Sequence, residues 1–430
     1  MPISNYTLIL NNILNNRAKD YREPQMKTLL EDLQANVLKS HGKKYAIHAC
    51  LHFYNKKEKE VKQWLRKLEL TSAWQQLDVR YGDSVAPKNL VSLYFTHEAY
   101  QYLNYDANKL PEFGATPFSG TPQSRLALHI NLKEEKFPTT NKIHAMLMIA
   151  GDDKKKLKKQ LEAIAGDDIK TFNSNKRETP VRGRIGHAFV QWGERKKVGP
   201  FGFVDKASNP LFFPGPNKEI PEEEIAQLDS ILIKDPNGAK WNSCGSFLVF
   251  LKLKQNVQAF TKDLENIKTA TGYNTDMAKA FIVGKFPHKK GNDDLYLSKM
   301  KNCPMHTSHI ASAKAKYDKI HNVPMARRGI NYKDSKDNQG LLFMSFQSNI
   351  STQFEVLVNQ FFTNRKDLQV DPLLYNHSLK PALAFDYPKT EEKKEKEKEK
   401  NAKIQLEKPF VTLQRGWYFF APSISSIKKL

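Results

Sequence analysis

The chain has 430 residues, of which 40% are hydrophobic and 11% aromatic, so it can bury a sizeable core over two or three domains and is not disordered, collagen-like or coiled coil. Its three cysteines lie far apart with no C-x-x-C pair, which excludes a disulfide scaffold and an all-cysteine zinc or iron–sulfur site. The formal charge of +22 is dispersed, because the densest basic run, residues 389–403, holds seven lysines against five glutamates and so carries little of the excess. Dispersed lysine is typical of an ordinary protein surface, and we therefore expect no nucleic-acid partner.

The amino-terminal segment mixes apolar residues with asparagines and has no small-residue cleavage site before its charged stretch, which is not typical of a secretory signal peptide. No uninterrupted apolar run approaches the roughly 18–20 residues that a membrane span requires. We therefore expect a cytoplasmic protein that does not enter a membrane.

The first half of the chain alternates strand and helix patterns. Residues 45–54 carry apolar side chains at every second position, which predicts a strand. Val61, Trp64, Leu65 and Leu68 follow at i, i+3, i+4 and i+7, a spacing that predicts an amphipathic helix. The other predicted elements of this half are an apolar run at 90–95, a short helix at 97–103, strands at 125–130 and 144–150, and an amphipathic helix at 154–164.

The second half repeats this plan. Its predicted elements are a strand at 246–253, an amphipathic segment at 257–267, a helix near 277–283, a strand at 341–347, a helix carrying Phe354, Leu357, Val358 and Phe361, and a late strand pair at 410–420. Each half thus offers about four strands and two principal helices. The predicted fold class is α+β, with two ferredoxin-like domains whose antiparallel sheets form a shared, barrel-like core.

The chain is predicted to consist of an extension and two domains. We predict an amino-terminal extension at 1–33, a first domain at 34–220 and a second domain at 221–430. Residues 199–238 are rich in glycine and proline, which indicates a connector, and connectors are favoured places for chemistry. The Lys/Glu run at 389–403 has no apolar face, so we predict a solvated helix or a disordered loop inserted in the second domain.

Four segments stand out as candidates for function, although the chain has no GxGxxG, GxxxxGK[ST], HExxH or GxSxG motif. They are FGFVDKASNP (201–210), GSFLVFLKLKQNVQAF (245–260), NCPMHTSHI (302–310), and ARRGINY followed by GLLFMSFQ (326–332 and 340–347). Three further segments accompany them, namely QANVLKSHGKKYAIHACLHF (34–53), HAMLMIAGDD (144–153) and PFVTLQRGWYFFAPSI (409–424). With all these segments in this order, the chain resembles the dye-decolourising peroxidase family of haem enzymes. The resemblance runs from about Gln34 to the end of the chain, the charged insertion excepted.

The resemblance implies two ferredoxin-like domains and one haem b per chain, held mainly by the second domain. It also implies hydrogen peroxide and an aromatic electron donor as partners. His309 is similar to the proximal iron ligand of the family. Asp205 matches its distal aspartate and Arg327 its distal arginine. The chain is therefore expected to reduce peroxide while oxidising bulky aromatic or dye-like donors, and a homo-oligomer is left open.

The resemblance also places a set of residues around the expected cofactor. Leu341 and Phe343 are similar to apolar residues that narrow the distal pocket, and the remaining members of the set flank Asp205, namely Phe203, Val204 and Lys206. The expected chemistry is sound on general grounds. A short-chain acid can relay a proton between the two oxygens of peroxide, and a permanently charged guanidinium can stabilise the departing oxygen.

The chain departs from the family pattern at three positions. Lys206 replaces the glycine that follows the aspartate, Ala311 replaces an arginine after the proximal histidine, and Lys285 stands in Gly284-Lys285-Phe286 where the family has Gly-Arg-Trp. These changes leave open a second hypothesis, a haem-binding or haem-handling protein with weakened peroxidase activity. A third hypothesis is a haem-free basic module that binds an anionic partner.

Each candidate residue also has a rival residue or a purely structural interpretation. His306 and His321 compete with His309 as ligands, and Cys303 could offer a thiolate. Asp205 could cap a turn, and Arg327 with its neighbour Arg328 could be a surface pair.

Overall fold

The computed structural model describes residues 5–15, 20–81, 87–106, 109–113, 116–117, 142–173, 182–204, 209–213, 220–221, 224–287, 325–356, 358, 371–374, 384–398, 400–406 and 408–430. None of the helices in these ranges is long and apolar enough to cross a membrane.

The described helices are numbered in chain order. They are α1 (Asn5–Asn15), α2 (Pro24–Asp32), α3 (Glu58–Lys67), α4 (Ala73–Tyr81), α5 (His97–Tyr102), α6 (Lys154–Ala165), α7 (Val257–Thr271), α8 (Thr275–Val283), α9 (Glu391–Glu397) and α10 (Ile424–Lys428). A 3₁₀ turn covers Leu228–Ser230 and a π-helical turn covers Ile350–Glu355.

The strands are numbered in the same way. They are β1 (Tyr45–Phe53), β2 (Leu90–Phe95), β3 (Glu112–Phe113), β4 (Thr116–Pro117), β5 (Ala145–Gly151), β6 (Ile169–Asn173), β7 (Gly186–Glu194), β8 (Ile233–Lys234), β9 (Cys244–Gln255), β10 (Ala326–Arg327), β11 (Ile330–Lys333), β12 (Gln339–Gln347), β13 (Ala384–Pro388), β14 (Asn401–Gln405) and β15 (Val411–Ala421).

Two four-stranded antiparallel sheets carry the fold, and both have the same order. In the first half the strands lie β7-β1-β5-β2, and in the second half they lie β15-β9-β12-β11. Counted along each half, both orders read fourth, first, third, second, with helices in the connections, which is the ferredoxin-like arrangement. The predicted duplicated α+β fold is confirmed.

The two sheets close into one eight-stranded barrel through two short seams. At one seam β11 meets β7 only at Asn331 and Glu194, and at the other β2 meets β15 only at Phe95 and Phe420. All other neighbouring strands of the ring pair over at least four residues. Backbone pairing alone therefore contributes little at the seams.

Alternation along β1 explains how the barrel separates two cores. Ile47 and Leu51 face outward and pack with α3 and α6 in one buried cluster. Ala46 and Cys50 face inward and share a second buried cluster with side chains of the other half, such as Phe250 on β9. A period of two in a strand places alternate residues on opposite faces, so β1 contributes to both cores.

Side chains reinforce the seams from within. The buried amide of Gln34 donates from Nε2 to the carbonyls of Leu93 on β2 and of Pro422 just after β15, at 2.7 and 2.8 Å, while its Oε1 accepts from the amide of Leu93 at 2.7 Å. Near the other seam, Asp334 accepts from Lys252 on β9 and from Gln191 on β7, both at 3.0 Å. The two halves are thus joined by buried hydrogen bonds.

Some predicted elements differ from the structure. The late strand pair at 410–420 is wrong, because Val411–Ala421 is one continuous strand along β9. The solvated helix predicted in the Lys/Glu run is confirmed as α9, which buries no residue, and β14 follows it and pairs with β13. The strand at 125–130, and Leu357 and Phe361 of a predicted helix, lie outside the described residues.

Replacing Gln34 with alanine is predicted to lower the free energy of unfolding by about 2–4 kcal/mol, because it removes three buried hydrogen bonds and leaves backbone groups unsatisfied. Urea denaturation measures this. Gln258→Ala is the matched control, since Gln258 is exposed on α7, and it should change stability by less than about 0.5 kcal/mol. Equal effects of the two substitutions would contradict a role for Gln34 at the seam.

Candidate functional site

The outer face of β12 carries two of the predicted pocket residues. Leu341 and Phe343 alternate with Leu342 and Met344, which are buried inside the barrel. Leu341 and Phe343 are only half-buried, and the ring of Phe343 lies 5.9 Å from that of Phe354. The second half therefore presents an incompletely covered apolar surface on the outside of its sheet.

Arg327 lies on this same face. Strand β10 pairs with β12 so that Arg327 stands opposite Ser345, and directly paired residues of antiparallel strands share a face. Ser345 follows Leu341 and Phe343 at the period of two, so all four side chains leave the same side of the sheet. The structure thus brings one permanent cation to the edge of the apolar surface.

The segment that precedes Asp205 is fixed against the second half. Phe201 stacks on Phe260 of α7 with ring centroids 4.4 Å apart, and Phe203 joins the same buried cluster. The amide of Val204 donates to the carbonyl of Pro287 at 3.1 Å. Gly202 has a φ of +82°, a value that glycine adopts without steric cost. These contacts hold Phe203 and Val204, the described residues that precede Asp205 in the sequence.

Two lysines of the second half approach this segment. Lys285 Nζ donates to the carbonyl of Val204 at 3.4 Å and lies 5.8 Å from the centre of the Phe203 ring. A β-carbon at Gly202 would lie 2.5 Å from Lys279 Nζ. Lys285 is one of the three departures from the family pattern, and the structure gives it a contact with the predicted distal segment.

Asn209 connects that segment with Arg327. Its Oδ1 accepts a hydrogen bond from the backbone amide of Arg327 at 2.7 Å. Val204 and Asn209 are the described residues on either side of the stretch 205–208, and each takes part in a hydrogen bond with the second half. Asp205 and Lys206 belong to that stretch but lie outside the described residues.

The pair formed by Arg327 and Arg328 is not a surface pair. Arg327 is half-buried, whereas Arg328 is 4% exposed and donates only to backbone carbonyls among the described residues. Burial lowers the pKa of Arg328 to about 10, so its guanidinium stays charged at neutral pH. A second positive charge therefore lies directly behind Arg327.

The structure describes five of the eight predicted site residues. They are Phe203, Val204, Arg327, Leu341 and Phe343. Asp205, Lys206 and His309 fall outside the described residues, as do Ala311, Cys303, His306 and His321. The sequence analysis did not single out Asn209 and Arg328 as functional residues. The sequence did hold a signal for each, since both lie inside the quoted motifs.

The described histidines do not lie on the apolar face of β12. His48, His144 and His187 are buried in the first half, and burial lowers their pKa values to about 4, 3 and 4, respectively. His144 also uses Nδ1 to accept from the amide of Phe53 at 3.0 Å. Within the described part of the chain, no group of three His, Cys, Asp or Glu residues is arranged to hold a metal ion.

The apolar face has the character that a large planar cofactor such as haem requires. Leu341 and Phe343 offer half-buried apolar contact, and Arg327 offers a cation at the border of that surface. A hydrophobic surface with few placed polar groups is the usual form of a cofactor site. The described residues therefore fit such a group.

Three comparisons with known proteins give related results. A family model described as "Dyp-type peroxidase, C-terminal" matches residues 201–380. The multifunctional dye peroxidase DyP2 of Amycolatopsis sp. is 29% identical over 285 residues, which cover 54% of this chain and 60% of the relative. The dye-decolorizing peroxidase msp1 of Mycetinis scorodonius is 27% identical over 55% of this chain and 57% of the relative. The aligned stretches thus span less than two thirds of these relatives.

The solved structures match over nearly the whole chain. The DyP-type peroxidase of Anabaena sp. has a TM-score of 0.77 at 25% identity, and the match covers 97% of this chain and 98% of that one. The structure of DyP2 from Amycolatopsis sp. has a TM-score of 0.74 at 21% identity, with coverage of 97% and 100%, and it supports the fold.

Replacing Gly202 with alanine is predicted to cost about 1–2 kcal/mol of stability, because a β-carbon is strained at its positive φ. Gly199→Ala is the matched control, since its β-carbon would only make ordinary contacts, the nearest at 3.7 Å from the carbonyl of Phe203. Chemical denaturation of both variants measures the difference. A Gly202→Ala variant as stable as wild type would contradict the conformation described for this segment.

Proposed function

We propose that this chain is a member of the dye-decolourising peroxidase family, a haem-dependent peroxidase that reduces hydrogen peroxide and oxidises bulky aromatic or dye-like donors. One observation carries the proposal. Arg327 shares the outer face of β12 with Leu341 and Phe343, and Asn209 connects it to the segment that contains Asp205.

The residues proposed to hold the cofactor come from the connector and from two segments of the second half. Leu341 and Phe343 would contact the macrocycle from β12, with Phe203, Val204 and Lys206 beside it. His309 would be the axial ligand, because a neutral imidazole is a good ligand for haem iron. When bound, haem supplies the iron that takes up the oxidising equivalents of peroxide. We propose one haem b per chain.

Asp205 is proposed to move the proton. A carboxylate close to hydrogen peroxide can accept the proton of one oxygen and return it to the other, which converts the departing oxygen into water. The contacts of Val204 and Asn209 support this role, since they hold both ends of the stretch that contains Asp205. Lys285 and Lys206 add positive charge nearby, and positive charge favours the ionised, proton-accepting form of a carboxyl.

Arg327 is proposed to stabilise negative charge that develops on the departing oxygen. A guanidinium is permanently protonated, and one held in place before the reaction stabilises such charge without reorganising. Pairing with β12 and the hydrogen bond to Asn209 fix the backbone that carries this side chain. Half-burial of Arg327 strengthens the interaction, because less water competes for the charge.

The relatives reported above carry peroxidase names, and this does not favour the haem-handling alternative. The departures at Lys206 and Ala311 are then expected to tune the reaction rather than to abolish it. The aromatic donor is proposed from the family, and a cytoplasmic location and a homo-oligomer remain proposals.

Substitution of the three central residues tests the proposal. His309→Ala is expected to abolish retention of haem, measured as loss of the Soret band after gel filtration. Asp205→Asn and Arg327→Leu should retain haem but slow the reaction with peroxide by about 10²–10³-fold, as removal of a proton relay or of a charge-stabilising donor does elsewhere. Stopped-flow mixing with peroxide measures that rate.

Matched controls are available for two of these variants. His306→Ala removes a neighbouring histidine and should keep haem, and Arg66→Leu removes an exposed arginine of α3 and should react at the wild-type rate. If His306→Ala loses haem while His309→Ala keeps it, the ligand assignment is wrong. Wild-type peroxide kinetics in Asp205→Asn and Arg327→Leu would contradict the proposed roles.

A further inference from the structure

Arg328 makes an unusual set of contacts for a buried cation. Its guanidinium donates from Nε to the carbonyl of Asn36 at 2.9 Å, from Nη2 to the carbonyl of Val37 at 2.8 Å, and from Nη1 to the carbonyl of Arg327 at 3.0 Å. Among the described residues no carboxylate pairs with it. Its planar fork therefore joins two separate pieces of backbone, one of which carries Arg327.

The first of these pieces is itself rigidly held. Asn36 is fully buried with a φ of +71°, and its amide donates to Oε1 of Gln76 at 2.8 Å. Its Oδ1 accepts from the amide of His41 at 3.0 Å, and its Nδ2 lies 3.6 Å from the sulfur of Met148 inside the barrel. This anchor belongs to the QANVLKSHG motif, which the proposed peroxidase chemistry does not otherwise use.

The second piece is short and is held by its pairing with β12 and by two side chains. Strand β10 consists of Ala326 and Arg327 alone. The peptide groups on both sides of Arg327 are hydrogen-bonded, since its amide donates to Asn209 Oδ1 at 2.7 Å and its carbonyl accepts from Arg328 Nη1. The amide of Arg328 also donates to the carbonyl of Met344 on β12 at 2.8 Å. Loss of the hydrogen bond from Asn209 or from Arg328 Nη1 would loosen the residue that faces the proposed site, because the pairing of β10 with β12 spans only two residues.

We propose that Arg328 is a positioning residue for Arg327, one that fixes the Arg327 backbone to the buried anchor at Asn36 and Val37. This inference rests on the proposed function, because it assigns Arg328 an effect on peroxide only through Arg327. Lysine cannot reproduce the three-way contact, since an ammonium lacks the planar fork that reaches three carbonyls at once. A displacement of about 1 Å at a reacting group can cost about 10²-fold in rate.

A double-mutant cycle tests the coupling in the haem-loaded protein. Arg328→Met is expected to lower the rate constant with peroxide by about 10–100-fold, and Arg328→Lys by less. Arg327→Leu combined with Arg328→Met should react within about twofold of Arg327→Leu alone, because the second substitution then has nothing left to position. A double variant slowed by the product of the two single effects would overturn the proposal.

Hydrogen exchange provides a readout that does not depend on turnover. Arg328→Met should raise the exchange rate of the Arg327 and Arg328 amides by at least about tenfold, because β10 loses its clamp. Asn242→Ala is the matched control, since Asn242 is also a buried clamp on the amino-terminal region, donating to Gln25 and Thr28, yet it does not reach β10. It should leave exchange at β10 and the peroxide rate unchanged.

The outcomes separate this inference from the proposed function. If wild-type protein reacts with peroxide but Arg328→Met leaves both the rate and the exchange unchanged, the positioning role is wrong and the peroxidase proposal stands. If wild-type protein does not react with peroxide, the peroxidase proposal fails, and so does the proposed effect of Arg328 on the peroxide rate. The exchange measurement still shows whether Arg328 holds the backbone of β10. If Arg328→Met does not fold, Arg328→Lys replaces it in both measurements. Exchange rates at β10 that are the same in Arg328→Lys as in wild-type protein would then overturn the proposal that Arg328 holds this strand.

Discussion

Closure of the eight strands into one barrel is the constraint on which the candidate site depends. Strand β12 pairs with β9 and β11 and contributes Leu342, Met344 and Phe346 to the shared interior. Its alternate residues must then point outward, and that places Leu341 and Phe343 on a surface that the barrel itself cannot cover. The two single-pair seams hold because side chains such as Gln34 join the halves across them.

Positive charge concentrates where the connector meets this outward face. Lys285 reaches the backbone of Val204, Arg327 stands at the border of the apolar surface, and Arg328 lies buried behind it. Arg328 costs desolvation free energy that three carbonyl hydrogen bonds only partly offset, which is consistent with its lowered pKa. A site of this kind suits chemistry in which negative charge develops, and peroxide cleavage is such a reaction.

Local pattern predicted most of the fold, because strand alternation and helical stripes depend on neighbours in sequence. Residues 45–54 and the stripe Val61 to Leu68 correspond to β1 and α3. The hydrogen bond between Asn209 and Arg327 spans 118 positions, and the contact between Arg328 and Asn36 spans 292, so neither follows from local spacing. Burial of Arg328 was missed for the same reason, since a second arginine in a row is ordinarily a surface residue. The candidate site was predicted only through the resemblance.

The most direct test of the central claim is an optical titration of the purified protein with haem, followed by hydrogen peroxide and then a phenolic donor. We expect a histidine-type Soret band that saturates at one haem per chain, shifts rapidly on addition of peroxide, and returns on addition of the phenol. A band that merely bleaches in peroxide, or the failure of any Soret band to form, would contradict the proposed peroxidase function.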